Sequence, residues 1–540
     1  MVIVPTPSRR AVYGRAAVAS SQPLATSAGL RALLRGGNAV DAAVTVAAAL
    51  AVTEPCSNGI GGDAFALVYK ASSRGVSAMH GNGAAPAALT PGLLQPPVAT
   101  SSPHAVTVPG AVALWADMIE RHGSGNLSLA DLLQPAIDLA SNGFPVAPQT
   151  ADAWKASTSI LRAARGGKEL LIAEGSSWRA PHSGEVFRAP GLAATLRRVA
   201  KTGKRGFYEG PVASAIVAVV RAMGGVMTLE DLAKHRTEDR DSLATRFREY
   251  TVYETGLPTH GVVALMALNI LDGYTPEELS DEGRATHIMI DALRLAYSEA
   301  AKVIADPKVM PDRTRDLVSK KYADQLRARM RDNTLCELRD GDEKWPSGGT
   351  VQFCAVDAEG NAVSMIQSNY MPFGTGLVPR NMGFSLNNRG LNFSSVKGHP
   401  NAAHGGKKPY HTIIPALMTR GDGGLFAVLG VMGSFMQPQG HVQVIRRLVD
   451  EGLDAQKALD HSRFRVTGAF SAVEVGMGDD AVFVEPEIGE NVVEALTSRG
   501  HEVRIGERHI FGRGQVIVRR GEDVVEAGSD NRADGYAAVL

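Results

Sequence analysis

Two strand-like segments joined by a short turn occupy residues 350–368, and they constrain the fold of the chain more than any other feature. Small or apolar residues alternate with others over residues 350–356, and a second segment of the same kind covers residues 362–368. Between them, the sequence DAEGN at residues 357–361 is rich in residues that favour turns. The pattern predicts a β-hairpin whose first residue is Thr350.

The segment before this hairpin has a different character. Residues 331–349, RDNTLCELRDGDEKWPSGG, are polar and rich in Asp, Glu, Gly and Pro, which predicts a linker. It ends in Gly348 and Gly349, which can adopt backbone angles closed to other residues and let another group approach closely. Two interpretations are open from these residues alone: a strained peptide bond suited to self-cleavage before Thr350, or a loosened loop that enters an ordinary strand.

The charge balance argues against several kinds of partner. The 540 residues carry 56 Lys and Arg against 56 Asp and Glu, so no global field favours nucleic acid or an anionic membrane. The chain is 44% apolar, which is ample for a sizeable core. No apolar signal segment follows the basic residues near the N-terminus, and the uncharged run at residues 42–53 is too short to span a bilayer. We therefore expect a soluble, cytoplasmic protein.

No motif for a cofactor or a metal is evident. The three cysteines, Cys56, Cys336 and Cys354, are irregularly spaced and fit neither a disulfide framework nor a zinc site. His399 and His404 form the closest histidine pair, but further ligands are missing around them. The glycine-rich stretches lack the spacing of a dinucleotide or phosphate loop, and G-x-S-x-G is absent. We expect no cofactor.

Helical and strand-like patterns alternate along the rest of the chain without a tandem repeat. We expect two sheets sandwiched between helical layers, because the strands are of antiparallel type and the helices are interspersed with them. The predicted helices are 25–51 with a break at Gly36-Gly37, one after the capping pair Ser128 and Asp131, one after Thr228 and Asp231, 286–305, 436–451, 454–461 and 490–499, and the early strands are 66–69 and 76–80.

A series of motifs runs along nearly the whole chain in a fixed order. They are GGNAVDAAVTVAAALAVTEP, SNGIGGDAF, VPGAVALW, LLQPAIDLASNGFPV, FYEGPVASAIV, GGVMTLEDL, DALRLAYSEAAKVIADP, FGTGLVPRNMGFSLNNRG, KKPYHTIIPAL and GVMGSFMQPQGH. In this order they resemble the γ-glutamyltransferase family. The resemblance implies the N-terminal nucleophile hydrolase fold, an αββα sandwich of the α+β class. It also implies self-cleavage between Gly349 and Thr350 into fragments 1–349 and 350–540, which stay associated as a heterodimer.

The implied chemistry depends on a threonine at a chain terminus. A threonine hydroxyl is a poor nucleophile at neutral pH and needs an adjacent base. Cleavage would free the α-amine of Thr350, whose pKa is about 8 in model peptides, and this amine can take the hydroxyl proton. The hydroxyl would attack a substrate amide, form an acyl ester and pass the acyl group to water or an amine. The resemblance implies small γ-glutamyl amides such as glutathione as substrates.

Catalytic roles of the family fall on three further positions. Ser368 stands where the family has a threonine whose hydroxyl contacts the nucleophile and its amine. Gly433 and Ser434 fall on the paired glycines whose backbone N–H groups form the oxyanion hole, and a helix after them would add a favourable dipole. A tight strand-to-helix turn without a catalytic role is the alternative interpretation of Gly433-Ser434.

The positions that hold the glutamyl group in the family are changed in this chain. The arginine that binds the α-carboxylate aligns near Asn82, and the aspartate that meets the α-amine aligns with Asn392. An asparagine becomes Tyr370, which we interpret as pocket wall rather than as a catalyst, and a serine pair becomes His411-Thr412. The ionic partner of the α-amine is therefore missing.

Arg389 stands where the family has glutamine, and it could clamp a substrate carboxylate. The alternative interpretation of Arg389 is a surface or salt-bridged arginine. His411 could bond a substrate or a neighbouring carbonyl. The pattern resembles the subgroup of γ-glutamyltransferase-like proteins and cephalosporin or glutaryl acylases, because loss of the aspartate suits an acyl group without an amine. Two alternatives to a γ-glutamyl enzyme are a glutaryl-type acylase and an unprocessed, non-catalytic binding homologue.

Overall fold

The structure, a computed structural model, describes residues 9–309, 313–336, 349–467 and 481–540. Most of the predicted linker, including Gly348, lies outside the described residues. The strands are β1 Val12–Gly14, β2 Ala17–Ser20, β3 Asp63–Lys70, β4 Gly75–Gly81, β5 Phe144–Pro145, β6 Ile172–Glu174, β7 Ser177–Arg179, β8 Val186–Phe187, β9 Glu238–Arg240, β10 Leu243–Phe247, β11 Tyr250–Glu254, β12 Gly349–Val356, β13 Ala362–Tyr370, β14 Ala416–Thr419, β15 Leu425–Met432, β16 Phe464–Val466, β17 Val482–Val484, β18 Val503–Ile505, β19 Arg513–Arg519, β20 Val525–Ser529 and β21 Tyr536–Val539.

The helices lie between and after these strands, with five short 3₁₀ turns besides them in the described residues. They are α1 Pro23–Leu34, α2 Ala39–Thr53, α3 Ala111–His122, α4 Leu129–Asn142, α5 Pro148–Ala156, α6 Thr158–Ala163, α7 Pro190–Thr202, α8 Arg205–Tyr208, α9 Gly210–Ala222, α10 Leu229–Ala233, α11 Gly261–Leu271, α12 Glu282–Ala300, α13 Thr314–Leu317, α14 Lys320–Arg327, α15 Met436–Val449, α16 Ala455–Asp460 and α17 Glu490–Ser498. No described helix is long and apolar enough to cross a membrane.

Two antiparallel sheets of seven strands each form the centre of the fold. The Thr350 sheet has the order β21-β2-β12-β13-β3-β4-β9, and the facing sheet has the order β1-β20-β19-β15-β14-β11-β10. Apolar side chains such as Leu67, Cys354, Val428 and Ile517 fill the space between the two sheets. Helices α1 and α2 cover the outer face of the Thr350 sheet, and α11 and α15 cover that of the facing sheet. The predicted α+β class and αββα sandwich are confirmed.

Local signals in the sequence place the predicted helices near their observed bounds, whereas α3, α5–α9, α11, α13 and α14 were not predicted. The predicted break at Gly36-Gly37 separates α1 from α2, and Gly36 has a φ of +84°, which favours glycine. Helices α4 and α10 begin after Ser128 and Thr228, both of which form capping boxes. Helix α12 starts earlier than predicted, because the Asp281 side chain accepts the Arg284 N–H and caps the helix there. It ends at Ala300, also earlier than predicted.

The predicted hairpin is confirmed as β12 and β13, which pair antiparallel. Strand β12 also pairs with β2, so it lies inside the sheet and not at its edge. The register shifts at its start, because Gly349 lies opposite Tyr370 while Val351 lies opposite Gln367. Thr350 therefore sits at an irregularity of the ladder, a feature that re-aims side chains in many active sites.

Candidate active site

Thr350 and Ser368 meet across the hairpin. The Thr350 hydroxyl donates a hydrogen bond to the Ser368 Oγ at 3.2 Å, and both side chains are buried. The residues lie on the two paired strands of the hairpin, and the register shift between Gly349 and Val351 lies beside Thr350. The structure thus joins the predicted nucleophile to the residue predicted to contact it.

The same serine also contacts the carbonyl of the peptide bond expected to break. The Ser368 hydroxyl donates to the Gly349 carbonyl oxygen at 2.7 Å, while the Tyr370 backbone N–H donates to the Ser368 Oγ at 2.8 Å. Tyr370 has a φ of +77°, an uncommon left-handed conformation for a bulky residue. Ser368 is therefore held by the backbone in a position from which it can polarise the Gly349 carbonyl.

Arg389 lies directly beside this hydroxyl pair. Its Nη2 donates to the Ser368 Oγ at 3.2 Å, and its Nη1 donates to the Thr412 Oγ1 at 2.8 Å. The guanidinium carbon lies 4.4 Å from the centre of the Tyr370 ring, which makes a cation–π contact. Arg389 is fully buried, so it is not a surface arginine, but its Nε lies 4.0 Å from the Asp63 Oδ2, as the salt-bridged alternative requires. The cation–π contact places the Tyr370 ring against the guanidinium, and its role as pocket wall stays a prediction.

Asp63 completes the cluster, and sequence reasoning missed it. Its Oδ2 lies 3.1 Å from the His411 Nε2 and 4.0 Å from the Arg389 Nε, and its Oδ1 accepts the Gly83 backbone N–H at 3.1 Å. A usable signal was present, because Asp63 is an acidic residue at the start of an apolar strand in SNGIGGDAF. His411 thus meets a carboxylate rather than the neighbouring carbonyl considered above.

Burial sets the charge states of this cluster. It raises the pKa of Asp63 to about 7, against the opposing effect of the Arg389 charge. It lowers the pKa of Arg389 to about 10, and it holds the pKa of His411 well below its usual value with help from Arg389. At neutral pH Arg389 is charged and His411 is neutral, while Asp63 titrates near neutrality.

Asn82 lies at the margin of the cluster. Its Oδ1 accepts from the Lys408 Nζ at 3.3 Å, and Lys408 also pairs with Glu238 at 3.0 Å. Within the part of the chain that the structure describes, the buried Asn82 Nδ2 has no hydrogen-bond partner. Its neighbour Gly83 binds Asp63, so the loop that carries Asn82 is tied to the site through the backbone.

Asn392 adds no charge near Arg389. It ends the short 3₁₀ turn Arg389–Asn392, and its Nδ2 donates to the Tyr410 carbonyl at 3.1 Å. The buried Oδ1 accepts no hydrogen bond from the described residues. A substrate amine would find an amide oxygen at this position and no carboxylate.

Gly433 and Ser434 form the turn between β15 and α15. Their φ values are +135° and +54°, and the Gly433 carbonyl accepts the Met436 N–H at 2.9 Å at the helix start. The Ser364 hydroxyl donates to the Leu429 carbonyl at 2.8 Å across the two sheets.

An added Cβ at Gly430 would meet the Gln352 side chain at 2.7 Å. The Ser364–Leu429 and Gly430–Gln352 contacts show that β12 and β15 run in opposite directions. The end of β15, which leads into Gly433, therefore lies at the same end of the sandwich as Thr350 at the start of β12. The Thr350 hydroxyl makes its hydrogen bond with Ser368 and not with this turn.

Among the residues that the structure describes, a buried cluster away from Thr350 contains side chains able to ligate a metal. Ligand atoms of His287, Asp291 and His501 lie within 4.8 Å of one another. The His287 Nδ1 is 2.8 Å from the His501 Nε2, and its Nε2 is 2.7 Å from the Arg331 carbonyl. Both ring nitrogens of His287 are thus engaged in hydrogen bonds, which accounts for this group as a structural network.

Comparison with known proteins agrees with the ordered motifs. The model of the family described as gamma-glutamyltranspeptidase matches residues 25–540. The chain is 32% identical over 530 residues to a glutathione hydrolase-like proenzyme of Bacillus subtilis, covering 97% of this chain and 98% of that protein. It is also 32% identical over 523 residues to an oxamate amidohydrolase proenzyme of Klebsiella pneumoniae, covering 95% of this chain and 96% of the relative.

A solved structure supports the same assignment. The crystal structure of a cephalosporin acylase from Bacillus halodurans superposes with a TM-score of 0.87 and 37% identity, covering 100% of this chain and 99% of that one. This likeness agrees with the acylase subgroup that the substrate-binding positions indicated. The chain belongs to the gamma-glutamyltranspeptidase family.

Proposed function

We propose that this chain is a proenzyme that cuts itself between Gly349 and Thr350 and then hydrolyses or transfers small amides through an acyl ester on Thr350. The observation that carries the proposal is the position of the Ser368 hydroxyl. It bonds the Thr350 hydroxyl at 3.2 Å and the Gly349 carbonyl oxygen at 2.7 Å. The proposed nucleophile, the Thr350 hydroxyl, and the proposed target, the Gly349 carbonyl, are therefore both hydrogen-bonded to the Ser368 hydroxyl.

Self-cleavage follows from this arrangement as an acyl shift. The Thr350 oxygen attacks the Gly349 carbonyl carbon, the carbon–nitrogen bond breaks, and the hydroxyl proton ends on the new α-amine. Water then hydrolyses the ester, which leaves a carboxylate on Gly349 and restores the Thr350 hydroxyl. Ser368 stabilises the charge that develops on the carbonyl oxygen. The products are fragments 1–349 and 350–540, held together as a heterodimer by strand pairing such as β2 with β12.

The mature enzyme would use the freed α-amine as its base. That amine takes the proton from the Thr350 hydroxyl as it attacks the substrate carbonyl, and returns it to the leaving amine. Backbone N–H groups of Gly433 and Ser434, at the start of α15, are the proposed oxyanion hole. Water or a second amine then releases the acyl group from Thr350.

The acyl donor is proposed to be a small amide that carries a carboxylate, bound by Arg389 with Thr412. Asn82, Tyr370, Asn392 and His411 are the proposed surrounding groups. γ-Glutamyl amides such as glutathione are the first class to test, and glutaryl-type amides are the alternative. The buried positive charge of Arg389 and the neutral Asn392 favour an acyl group without an amine.

A denaturing gel tests the proposal directly. We expect two fragments and a new N-terminus that reads Thr-Val-Gln-Phe, whereas Thr350→Ala should stay a single chain. Release of cysteinylglycine from glutathione, compared with release of glutarate from a glutaryl amide, then separates the two donor classes. A wild-type chain that stays intact and turns over neither amide would instead support the non-catalytic binding homologue.

A further inference from the structure

We propose that Arg389 and Thr412 form a carboxylate site that selects short acyl chains. The preferred donors are monoamides of the shortest dicarboxylic acids, in which the carboxylate is attached to the amide carbonyl directly or through one carbon. This inference rests on the proposed function of Thr350 and specifies the substrate class of the same site.

The distance between nucleophile and cation is the first reason. Thr350 Oγ1 and Arg389 Nη2 both lie 3.2 Å from the Ser368 Oγ, so they are separated by no more than twice that distance. A reacting carbonyl carbon lies about 3–3.5 Å from its nucleophile. A carboxylate oxygen lies about 2.7–2.9 Å from a guanidinium nitrogen. These two contacts alone span almost the whole separation, and little room remains for a chain between them.

A longer acyl group does not fit in an extended conformation between the Thr350 hydroxyl and the Arg389 guanidinium. A glutaryl or γ-glutamyl group places three carbons between its amide carbonyl and its carboxylate. If its carboxylate binds the side of Arg389 that faces Ser368, the chain has to fold back on itself. Ordering such a fold costs conformational entropy, which an oxalyl or malonyl group avoids.

The donors of Arg389 are the second reason. A guanidinium has five N–H donors, and among the described residues the hydrogen bonds of Arg389 go to Thr412 from Nη1 and to Ser368 from Nη2. The buried Nε has no hydrogen-bond partner there. Asp63 lies 4.0 Å from that nitrogen, close enough to balance charge but beyond hydrogen-bond distance. The guanidinium is therefore held in place with donors left for a carboxylate.

The replacement of the family's amine-binding aspartate by Asn392 is the third reason. Asn392 ends the 3₁₀ turn that begins at Arg389 and has an uncharged side chain, and its Oδ1 accepts no hydrogen bond from the described part of the chain. A substrate ammonium beside the buried Arg389 charge would be repelled and would find no carboxylate in Asn392 to compensate. The site should therefore favour dicarboxylate monoamides that have no amine.

A chain-length series on the processed enzyme tests the proposal. The substrates are oxamate, malonamate, succinamate and glutaramate, whose turnover is followed by ammonia release. Glutathione is the γ-glutamyl member, and its turnover is followed by release of cysteinylglycine. We expect kcat/KM to be at least about tenfold higher for oxamate or malonamate than for glutaramate or glutathione. Equal or higher values for glutaramate or glutathione, in enzyme shown by gel to be cleaved, would overturn the proposal.

Binding of the free dicarboxylates separates this inference from the proposed function. Calorimetry on the same processed protein should show oxalate or malonate binding at least about tenfold more tightly than glutarate, whether or not any amide is turned over. Tighter binding of glutarate would refute the length selection even in an active enzyme. Conversely, absence of turnover with the expected order of Kd values would refute the amidohydrolase function alone.

Two variants assign the effect to Arg389. Arg389→Gln should reduce kcat/KM for oxamate by about 10²-fold and reduce that for glutaramate clearly less, so that the length preference collapses. The exposed Arg315, paired with Asp241 at the surface, provides the matched control, and Arg315→Gln should leave both values unchanged. An unaltered length preference in cleaved Arg389→Gln would contradict the proposal. If Arg389→Gln does not fold or cleave, the wild-type binding order decides.

Discussion

The role of Ser368 in self-cleavage gives the sharpest prediction. Ser368→Ala removes the hydroxyl that donates to the Gly349 carbonyl at 2.7 Å and accepts from Thr350 at 3.2 Å. Loss of one preorganised donor to a developing oxyanion costs about 2.7–4 kcal/mol, which is about 10²–10³-fold in rate. We therefore expect self-cleavage of Ser368→Ala to slow by about 10²–10³-fold. Ser368→Thr restores a hydroxyl at the family's own residue and should stay within about tenfold of wild type.

The assay is a time course of freshly purified precursor on denaturing gels, with intact mass to identify the Gly349–Thr350 cut. Thr350→Ala marks the position of the uncut chain. Because the Tyr370 N–H and Arg389 lose an acceptor in Ser368→Ala, we also expect the free energy of unfolding to fall by about 1–3 kcal/mol. Thermal melting therefore accompanies the time course. A folded Ser368→Ala that cleaves at the wild-type rate would refute the reasoning.

Three further predictions concern the turn and the buried carboxylate. Gly433→Ala should lose at least about 10²-fold in turnover, measured as ammonia release, because a φ of +135° is closed to alanine and the added Cβ would lie 3.1 Å from Gly512 and Met436. Ser434→Gly should raise the free energy of unfolding by about 1 kcal/mol in denaturant titrations, because it relieves a left-handed serine at φ +54°; a clear loss of stability would contradict this. Burial raises the pKa of Asp63 to about 7, so its native carboxyl holds a proton that the unfolded chain releases above about pH 4. The stability from this proton is full below about pH 4 and is lost as pH rises to about 7. Asp63→Asn should flatten the dependence between about pH 4 and 7, and an unchanged slope would show that other groups cause it.

Several elements of the fold were predictable because their signals lie in consecutive residues. The break at Gly36-Gly37, the capping boxes at Ser128 and Thr228, and the hairpin of β12 and β13 all depend on neighbours in sequence. The order of strands in the two sheets was not predictable in this way. The C-terminal strand β21 pairs with β2 near the N-terminus, for example, and no pattern of neighbouring residues predicts that pairing.

The residues of the candidate site also differ in whether the sequence alone could identify them. Residues that stand in recognisable motifs, such as Thr350, Ser368 and Arg389, were identified from the chain itself, and the structure brings these three into contact. Asp63 was missed because its role depends on His411 and Arg389, which are far away in sequence. A charged residue near an apolar segment acquires meaning only when its neighbours in space are known.

The sequence by itself thus determined the family, predicted Thr350 as the nucleophile and indicated the loss of the charged groups that hold a glutamyl amine. The tertiary structure decided that Arg389 is buried against Ser368 rather than exposed, and that Asp63 stands behind it. The physical reason is that hydrogen bonds in a hairpin and in helix caps are set locally. Burial, and the pKa values it shifts, arise only when distant segments remove a group from water.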